Sequence, residues 1–254
     1  MPKVLIVVEE SGEGVADSRT TARMVSALQQ AITTSAGPPV TVQVVASNTL
    51  EHTGSVDLES DLSKDILLCP LTLNLPDSLP FQAMVVYEAC RDVPGLRLRL
   101  AQQLKIAIAP TRDFAICDQC FWLPVVLTAK GPLYGEVIGL AGEAVGKKIP
   151  NDLSLCDLSY YQPFHLSDSR RQRLYQVAHS LMQLLSAPPA TYLVQFAFQD
   201  SDICFDRLWP FPAAPAIASL GVQEPNLFTC HWYCLTGLPV LDLLIPPLAD
   251  QALS

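Results

Sequence analysis

Charged residues are scarce in this chain, and acidic residues outnumber basic ones. Of 254 residues only 16% are charged, with 16 Lys and Arg against 25 Asp and Glu, which gives a net charge of −9. A chain of this sign repels phosphate backbones and anionic lipid surfaces, so the composition argues against nucleic acid or a membrane surface as a partner. Because half of the residues are hydrophobic, most of the chain is expected to be packed rather than disordered.

Long uninterrupted apolar runs are also missing. The apolar stretch at residues 235–248 is broken by Asp242 and several prolines, so it does not fit a membrane-spanning helix. The N-terminal run, residues 3–8, is too short for a secretory leader and lacks a small-residue cleavage site, so it predicts a buried strand instead. We therefore expect a cytoplasmic protein without membrane insertion.

Glycine-rich phosphate-binding loops are absent as well. Residues 9–14 contain two glycines and three glutamates, which neither match Gly-x-Gly-x-x-Gly nor attract phosphate. Residues 142–148 also fail the phosphate-loop pattern, because Ala141 occupies its first glycine position and Lys148 its Ser or Thr position. A charged surface hairpin is the better interpretation of this second stretch.

The sequence does contain an alternation of strand and helix patterns. Apolar runs predict strands at residues 3–8, 40–46, 65–71 and 81–87. Helical spacing predicts a helix over residues 16–32 and another over residues 168–185, the latter capped by Ser167 or Asp168. Strands that alternate with helices predict an α/β fold with a parallel, doubly wound sheet. The basic first turn of the later helix opposes the helix dipole, which leaves an acidic neighbour or partner open. A plain solvated face is the favoured interpretation.

The most informative stretch is residues 191–215. Two bulky apolar runs, residues 192–198 and 203–208, flank a polar triplet and predict a β-hairpin. The prolines of Trp209-Pro210-Phe211-Pro212 then fix φ and remove amide donors. Farther along the chain come Phe228, His231 and Gly237-Leu238-Pro239, where Gly237 predicts a helix end in left-handed conformation.

This order of residues resembles the ATP-grasp N5-carboxyaminoimidazole ribonucleotide synthases of purine biosynthesis. In that family Val-Glu-Phe ends a strand, followed by Asn-Glu-Ile-Ala-Pro-Arg-Pro-His-Asn-Ser-Gly-His, Ser-Gln-Phe-Glu-Gln-His and Gly-Leu-Pro. The matching positions are Val194, Phe196, Asp200, Leu208, Pro210, Pro212, Phe228, His231 and residues 237–239. A looser match runs from Glu88 to Gln119 and implies a strand at residues 106–109 and a helix after Pro110. The resemblance implies a Rossmann-like, pre-ATP-grasp parallel sheet in residues 1–123, followed by a truncated ATP-grasp-like α+β domain without the lid in residues 124–254.

The positions that carry the family's chemistry differ from the family pattern. Gln195 occupies the position of the first magnesium-binding glutamate, and Asp206-Arg207 occupies that of Asn-Glu. Mg²⁺ prefers anionic oxygen ligands, whereas Gln195 offers a neutral oxygen and Arg207 a permanent positive charge. Residues 211–217, Phe-Pro-Ala-Ala-Pro-Ala-Ile, replace the phosphate-binding run and offer no side-chain donors. We therefore expect a non-catalytic ATP-grasp-like protein that acts as a binding, assembly or regulatory module without ATP or magnesium.

A ligand pocket, if retained, is predicted where the strands of the first domain end, against Gln195, Arg207 and His231. Asp118, Gln119 and Asp206 are the further predicted ligand-binding residues. Arg207 would favour a small anionic ligand, unless it pairs internally with Asp206 or Asp202. The expected partner is another protein or a second copy of this chain.

Two alternatives to the non-catalytic interpretation stay open. A minimal carboxylate–amine ligase, similar to the N5-carboxyaminoimidazole ribonucleotide synthases, would bind metal through Asp118, Asp202 and Asp206 and phosphates through Lys147 or Lys148. A zinc or redox protein would use the pairs Cys117/Cys120 and Cys230/Cys234. Buried free thiols are the favoured interpretation of the eight cysteines.

Overall fold

The computed structural model describes residues 3–11, 14–15, 19–35, 37, 39–52, 66–77, 79, 81–103, 120–141, 158–199 and 202–247. These residues form a three-stranded parallel sheet, a six-stranded antiparallel sheet and a two-stranded ribbon, together with helices that pack on the two larger sheets. The mixture of parallel and antiparallel sheets is the predicted combination of an α/β part with an α+β part.

The N-terminal part contains the parallel sheet. Its elements are β1 (Lys3–Val8), β2 (Glu10–Ser11), β3 (Gly14–Val15), α1 (Arg19–Thr34), β4 (Thr41–Ala46), α2 (Ser47–His52), β5 (Ile66–Pro70), α3 (Met84–Arg91) and α4 (Val93–Gln103). β1 lies between β4 and β5 and is parallel to both. Residues 4–8 are buried without interruption, as expected for a central strand that is covered on both faces. The first three predicted strands are confirmed.

The fourth predicted strand, residues 81–87, is wrong, because most of it belongs to helix α3. Met84, Tyr87 and Cys90 are buried at three-residue intervals, whereas Val85 is 71% exposed. This spacing is that of one helix face. The strand prediction relied on Val85 and Val86, whose β-branched side chains favour strands, and it did not follow the apolar pattern as far as Cys90.

The C-terminal part contains the antiparallel sheet. Its elements are β6 (Phe121–Thr128), β7 (Gly131–Tyr134), β8 (Val137–Leu140), β9 (Tyr160–Phe164), α5 (Asp168–Leu184), β10 (Ala190–Gln199), β11 (Asp202–Trp209), a 3-10 helix (Ala214–Ser219) and α6 (Leu227–Thr236). The strand order is β11-β10-β6-β8-β9, and β7 pairs with β6. Gly237 ends α6 with φ 72°, so the predicted left-handed helix end is confirmed.

The predicted hairpin is confirmed as the antiparallel pair β10–β11, although both strands are longer than predicted. Val194 pairs with Leu208 and Gln195 with Arg207, but Phe196 pairs with Phe205. Asp206 is therefore the additional residue of a β-bulge, which disrupts the regular ladder at that point.

Strand β6 (Phe121–Thr128) crosses the predicted domain boundary after residue 123. Pro124 lies inside the strand, and its carbonyl accepts a hydrogen bond from the amide of Gly135 at 3.0 Å. The division into domains 1–123 and 124–254 stays a prediction. The strand predicted at residues 106–109, the helix after Pro110 and the segment 142–148 lie outside the described residues.

The antiparallel sheet separates two apolar clusters. One contains Trp122 and Leu193 together with side chains of β1, α1 and α6, and the other contains Leu123 and Val194 together with side chains of α4 and α5. Near the start of α5, Arg171 lies 3.6 Å from Glu136 and Arg173 lies 3.1 Å from Asp202. Both arginines therefore have an acidic neighbour, rather than the plain solvated face that the sequence favours. None of the helices in the described ranges has the length and hydrophobicity needed to cross a membrane.

Candidate functional site

The positions that match the family's cation-binding residues lie together in the β10–β11 hairpin. Gln195 and Arg207 are directly opposite each other, so their side chains lie on the same face of the sheet. Asp206 is the bulged residue next to this pair. Three of the predicted site residues are thus neighbours in the structure.

The side-chain oxygen of Gln195 is fully used by two indole groups. Its Oε1 accepts hydrogen bonds from Trp122 Nε1 at 3.1 Å and from Trp209 Nε1 at 3.0 Å. Gln195 is 7% exposed, and Trp122 lies opposite it on β6. An amide oxygen has two acceptor sites. A cation at this oxygen would therefore have to displace a buried hydrogen bond.

The carboxylate of Asp206 is buried between two arginines. Its Oδ1 forms an ion pair with Arg97 of α4, and its Oδ2 lies 3.1 Å from Arg207 Nε, while the side chain itself is 1% exposed. Arg97 Nε also donates to the backbone carbonyl of Asp206 at 2.7 Å. The bulge takes Asp206 out of the regular pairing between β10 and β11. Its carbonyl therefore accepts from the Arg97 side chain of α4 and not from a residue of the neighbouring strand.

Arg207 contacts both an anion and an aromatic ring. Its guanidinium carbon lies 5.7 Å from the ring centroid of Trp209, a cation–π distance. Of the two carboxylates considered as its internal partners, Asp206 is the one that pairs with it, whereas Asp202 pairs with Arg173.

These residues do not fit Mg²⁺. The ion requires oxygen ligands, several of them anionic. Here the neutral Gln195 oxygen is occupied by indole donors, the single carboxylate is neutralised by two arginines, and Arg207 adds a positive charge. Across the described part of the chain, no three His, Cys, Asp or Glu side chains converge in a way that could hold a metal ion.

His231 lies elsewhere, at the beginning of β10. It is 2% exposed, and its Nδ1 accepts a hydrogen bond from the Thr191 amide at 3.2 Å. β11 ends at Trp209, opposite Leu193, so Thr191 has no residue of β11 opposite it. Thr191 is four residues from Gln195, about 13 Å along a strand. The structure therefore does not place His231 beside Gln195 and Arg207 as predicted.

The protonation state of His231 follows from its burial, and its tautomer follows from the hydrogen bond with the Thr191 amide. Burial lowers the pKa of the imidazole to about 3, so the ring is neutral at physiological pH. Because Nδ1 acts as the acceptor, the single ring proton is on Nε2. This nitrogen is buried and has no hydrogen-bond acceptor among the described residues.

The cysteines of the zinc alternative are buried where the structure describes them. Cys230 and Cys234 lie one turn apart on α6, and Cys120 directly precedes β6. Burial raises the pKa of the Cys230 thiol and raises that of Cys234 to about 12. Both thiols are therefore in their neutral form at physiological pH. Cys117, Asp118 and Gln119 lie outside the described residues.

Sequence reasoning missed Arg97, Trp122 and Trp209. Arg97 is 109 residues away from Asp206 in sequence, and no local pattern connects the two. The sequence contained only a weak indication of the two indole contacts. A tryptophan needs a hydrogen-bond acceptor when it is buried, and a glutamine in an apolar strand, such as Gln195, can supply one.

The fold is that of ATP-grasp enzymes of known structure. Glycinamide-RNase-transformylase T from Mycobacterium tuberculosis matches with a TM-score of 0.69 at 17% identity, over 96% of this chain and 81% of that chain. N5-carboxyaminoimidazole ribonucleotide synthetase from Thermotoga maritima matches with a TM-score of 0.62 at 10% identity, over 95% of this chain and 77% of that chain.

An L-amino acid ligase from Bacillus licheniformis has the same fold, with a TM-score of 0.58 at 11% identity, over 92% of this chain and 74% of that chain. No protein-family model matches the sequence, and no curated protein sequence matches it. The fold implied by the sequence resemblance is therefore confirmed. At these identities the likeness defines the fold and not the chemistry.

Proposed function

We propose that this protein is a non-catalytic protein with the ATP-grasp fold that serves as a binding or assembly module. One observation carries the proposal. Both strands of the hairpin keep their positions, yet the Gln195 oxygen and the Asp206 carboxylate are fully engaged in internal hydrogen bonds and ion pairs. Phosphoryl transfer depends mainly on positioned charge. At these positions no unpaired negative charge is left to bind a metal ion or, through it, a nucleotide.

The test of the catalytic part is a calorimetric titration of the purified chain with ATP, with and without Mg²⁺, together with an ATP hydrolysis assay. We expect no magnesium-dependent binding in the micromolar range and no turnover above that of Asp206→Ala. Micromolar, magnesium-dependent binding with turnover would refute the proposal.

The test of the binding part has two readouts. Sedimentation velocity reports whether the chain forms a homodimer, and a pull-down from native extract reports a protein partner. A monomer that captures no partner would contradict an assembly role. A small anionic ligand at Arg207 is a further prediction, although the pairing with Asp206 weakens it.

A second candidate is an ATP-dependent ligase, and the fold favours it. Among the structures with this fold is an N5-carboxyaminoimidazole synthase from Aspergillus clavatus in complex with ADP and 5-aminoimidazole ribonucleotide, matched with a TM-score of 0.60 at 10% identity. Asp206 and Asp202, two of the carboxylates this function would require, form ion pairs with arginines. Asp118, Lys147 and Lys148 lie outside the described residues. Any activity should disappear in Asp206→Ala if this candidate is correct.

A further inference from the structure

The bulged residue Asp206 presents two oxygens to the same side chain of helix α4. Its backbone carbonyl accepts from Arg97 Nε at 2.7 Å, and its carboxylate Oδ1 pairs with Arg97 Nη2. A guanidinium group carries its N–H donors in a planar fork that matches such a pair of oxygens. Arg97 is therefore bound by two contacts to one residue of β11, although the two residues lie 109 positions apart in the sequence.

These two oxygens require a positive charge beside them. The Asp206 side chain is 1% exposed, and a carboxylate that is removed from water needs a cationic partner. Arg207 contributes the smaller share, because its side chain is 38% exposed and solvent screens its charge. The Arg97 side chain is 17% exposed. The buried carboxylate is thus neutralised mainly by Arg97.

The place of this contact in the hairpin coincides with the positions that match the family's cation-binding residues. Asp206-Arg207 occupies the position of Asn-Glu, and Gln195, which is paired with Arg207, occupies that of the first magnesium-binding glutamate. These residues do not fit Mg²⁺, as described above. A positive charge is nevertheless present beside the buried carboxylate, and it belongs to side chains of the protein itself.

We propose that the guanidinium of Arg97 is the permanent cation of this site, and that it holds helix α4 against the β10–β11 hairpin without a metal ion or a nucleotide. Helix α4 belongs to the N-terminal part and the hairpin to the C-terminal part, so the contact joins the two parts whether or not a ligand is bound. The inference rests on the proposed function, because it identifies the cation of a site without metal. Its test measures stability and not ATP turnover, so either can fail without the other.

The first experiment is chemical rescue of Arg97→Ala. Alanine preserves the helix propensity of α4, and because the removed side chain is 17% exposed, it leaves a space that solvent can reach beside the Asp206 oxygens. Arg97→Ala should unfold at a lower temperature than wild type. If methylguanidinium fills the space with a dissociation constant of about 5 mM, about 50 mM of it should raise this temperature by about 3–5 °C. Wild type, in which Arg97 fills the space, should not be stabilised.

Two controls concern the added molecule and two concern the site. Urea has a planar shape like that of methylguanidinium but no charge, and it should not stabilise Arg97→Ala. Mg²⁺ has the charge, but it requires several oxygen ligands, so it should stabilise this variant less than methylguanidinium does. Arg207→Ala removes the more exposed arginine and should show no rescue. The double variant Arg97→Ala/Asp206→Leu has no carboxylate to neutralise, so it should show none either.

Arg97→Lys decides the point if Arg97→Ala does not fold even with methylguanidinium. Lysine keeps the charge but has no planar fork, so this variant should lose one of the two contacts to Asp206 and unfold about 2–4 °C below wild type. Thermal unfolding followed by circular dichroism measures all variants. The proposal would be overturned by a lysine variant as stable as wild type, by a folded Arg97→Ala that methylguanidinium does not stabilise, by equal rescue with Mg²⁺, or by equal rescue of the double variant.

Discussion

At the scale of single residues, hydrogen-bond partners determine what the hairpin can bind. Gln195 and Asp206 carry oxygens that a metal could use, but each oxygen has a protein donor within hydrogen-bond distance. The Gln195 donors are neutral indoles and the Asp206 donors are guanidinium groups. The negative charge of Asp206 is therefore neutralised by Arg97 and Arg207. The more buried of these two arginines should contribute more to the free energy of unfolding.

Arg97→Met should destabilise the protein much more than Arg207→Met. The Arg97 side chain is 17% exposed and pairs with a carboxylate that is 1% exposed, whereas Arg207 is 38% exposed. Loss of a buried partner costs about 3–5 kcal/mol, and loss of a solvent-screened one costs about 0–1 kcal/mol. Urea unfolding followed by tryptophan fluorescence measures both.

The control for this pair is Asp206→Leu. In that background Arg97→Met should cost much less, because the buried charge that Arg97 neutralises has been removed. Equal costs for the two arginine variants in the wild-type background would contradict the assignment.

His231 should make the folded state less stable as the pH falls. Its pKa is about 3 in the folded chain against an ordinary 6.5, so between these values the unfolded chain binds the proton and the folded chain does not. The stabilisation is complete above pH 6.5 and is lost as the pH falls toward 3, by at most about 1.4 kcal/mol per pH unit.

The measurement is the free energy of unfolding at several pH values between 7 and 4, compared between wild type and His231→Gln. The part of the pH dependence that is due to His231 should vanish in the variant. Tyr87, Tyr192 and Cys234, which line one cavity together with His231, do not titrate in this range. A His231→Gln slope equal to that of wild type would rule out the buried neutral imidazole.

At the scale of secondary-structure elements, local signals predicted the β10–β11 hairpin, α5 and the end of α6. The misassignment of α3 has a physical origin. Val85 and Val86 favour a strand locally, but the helix buries Met84, Tyr87 and Cys90, and this tertiary packing outweighs local propensity. The Arg97–Asp206 contact could not be predicted, because it depends on a bulge that the alternating pattern of β11 does not reveal.

Helix caps give a prediction at this scale. Asn226 Oδ1 accepts hydrogen bonds from the amides of Phe228 and Thr229, whereas the Ser167 side chain at the start of α5 accepts none from a backbone amide of its helix. Asn226→Ala should cost about 1 kcal/mol, and Ser167→Ala should cost less than about 0.5 kcal/mol. Thermal and urea unfolding of the two variants provide the comparison, and similar losses would show that the assigned cap is not the main contribution.

At the scale of the whole molecule, one apolar cluster joins the N-terminal and C-terminal parts. It contains residues of β1 and α1 as well as Trp122, Leu193 and Phe228. Trp232 Nε1 donates to Ser35 Oγ at 2.9 Å, and the rings of Tyr87 and Phe211 stack at 6.1 Å. Neither part can lose its structure without exposing apolar surface of the other.

We therefore expect a single cooperative unfolding transition. All three tryptophans, at positions 122, 209 and 232, belong to the C-terminal part, so their fluorescence reports that part, while far-UV circular dichroism reports all helices and strands. The two signals should have the same urea midpoint. Two separate midpoints would show that the N-terminal and C-terminal parts fold independently.

The contact between His231 and Thr191 has a consequence for how copies of this chain meet one another. An unpaired strand edge can template the addition of a strand from a neighbouring molecule, which is a common route to aggregation. Just past the end of β11, the imidazole occupies the Thr191 amide, and Pro188 and Pro189 precede β10 without amide protons to offer. Helix α6 and this proline pair therefore leave no free amide donor for the addition of a strand from another molecule at this point of the sheet.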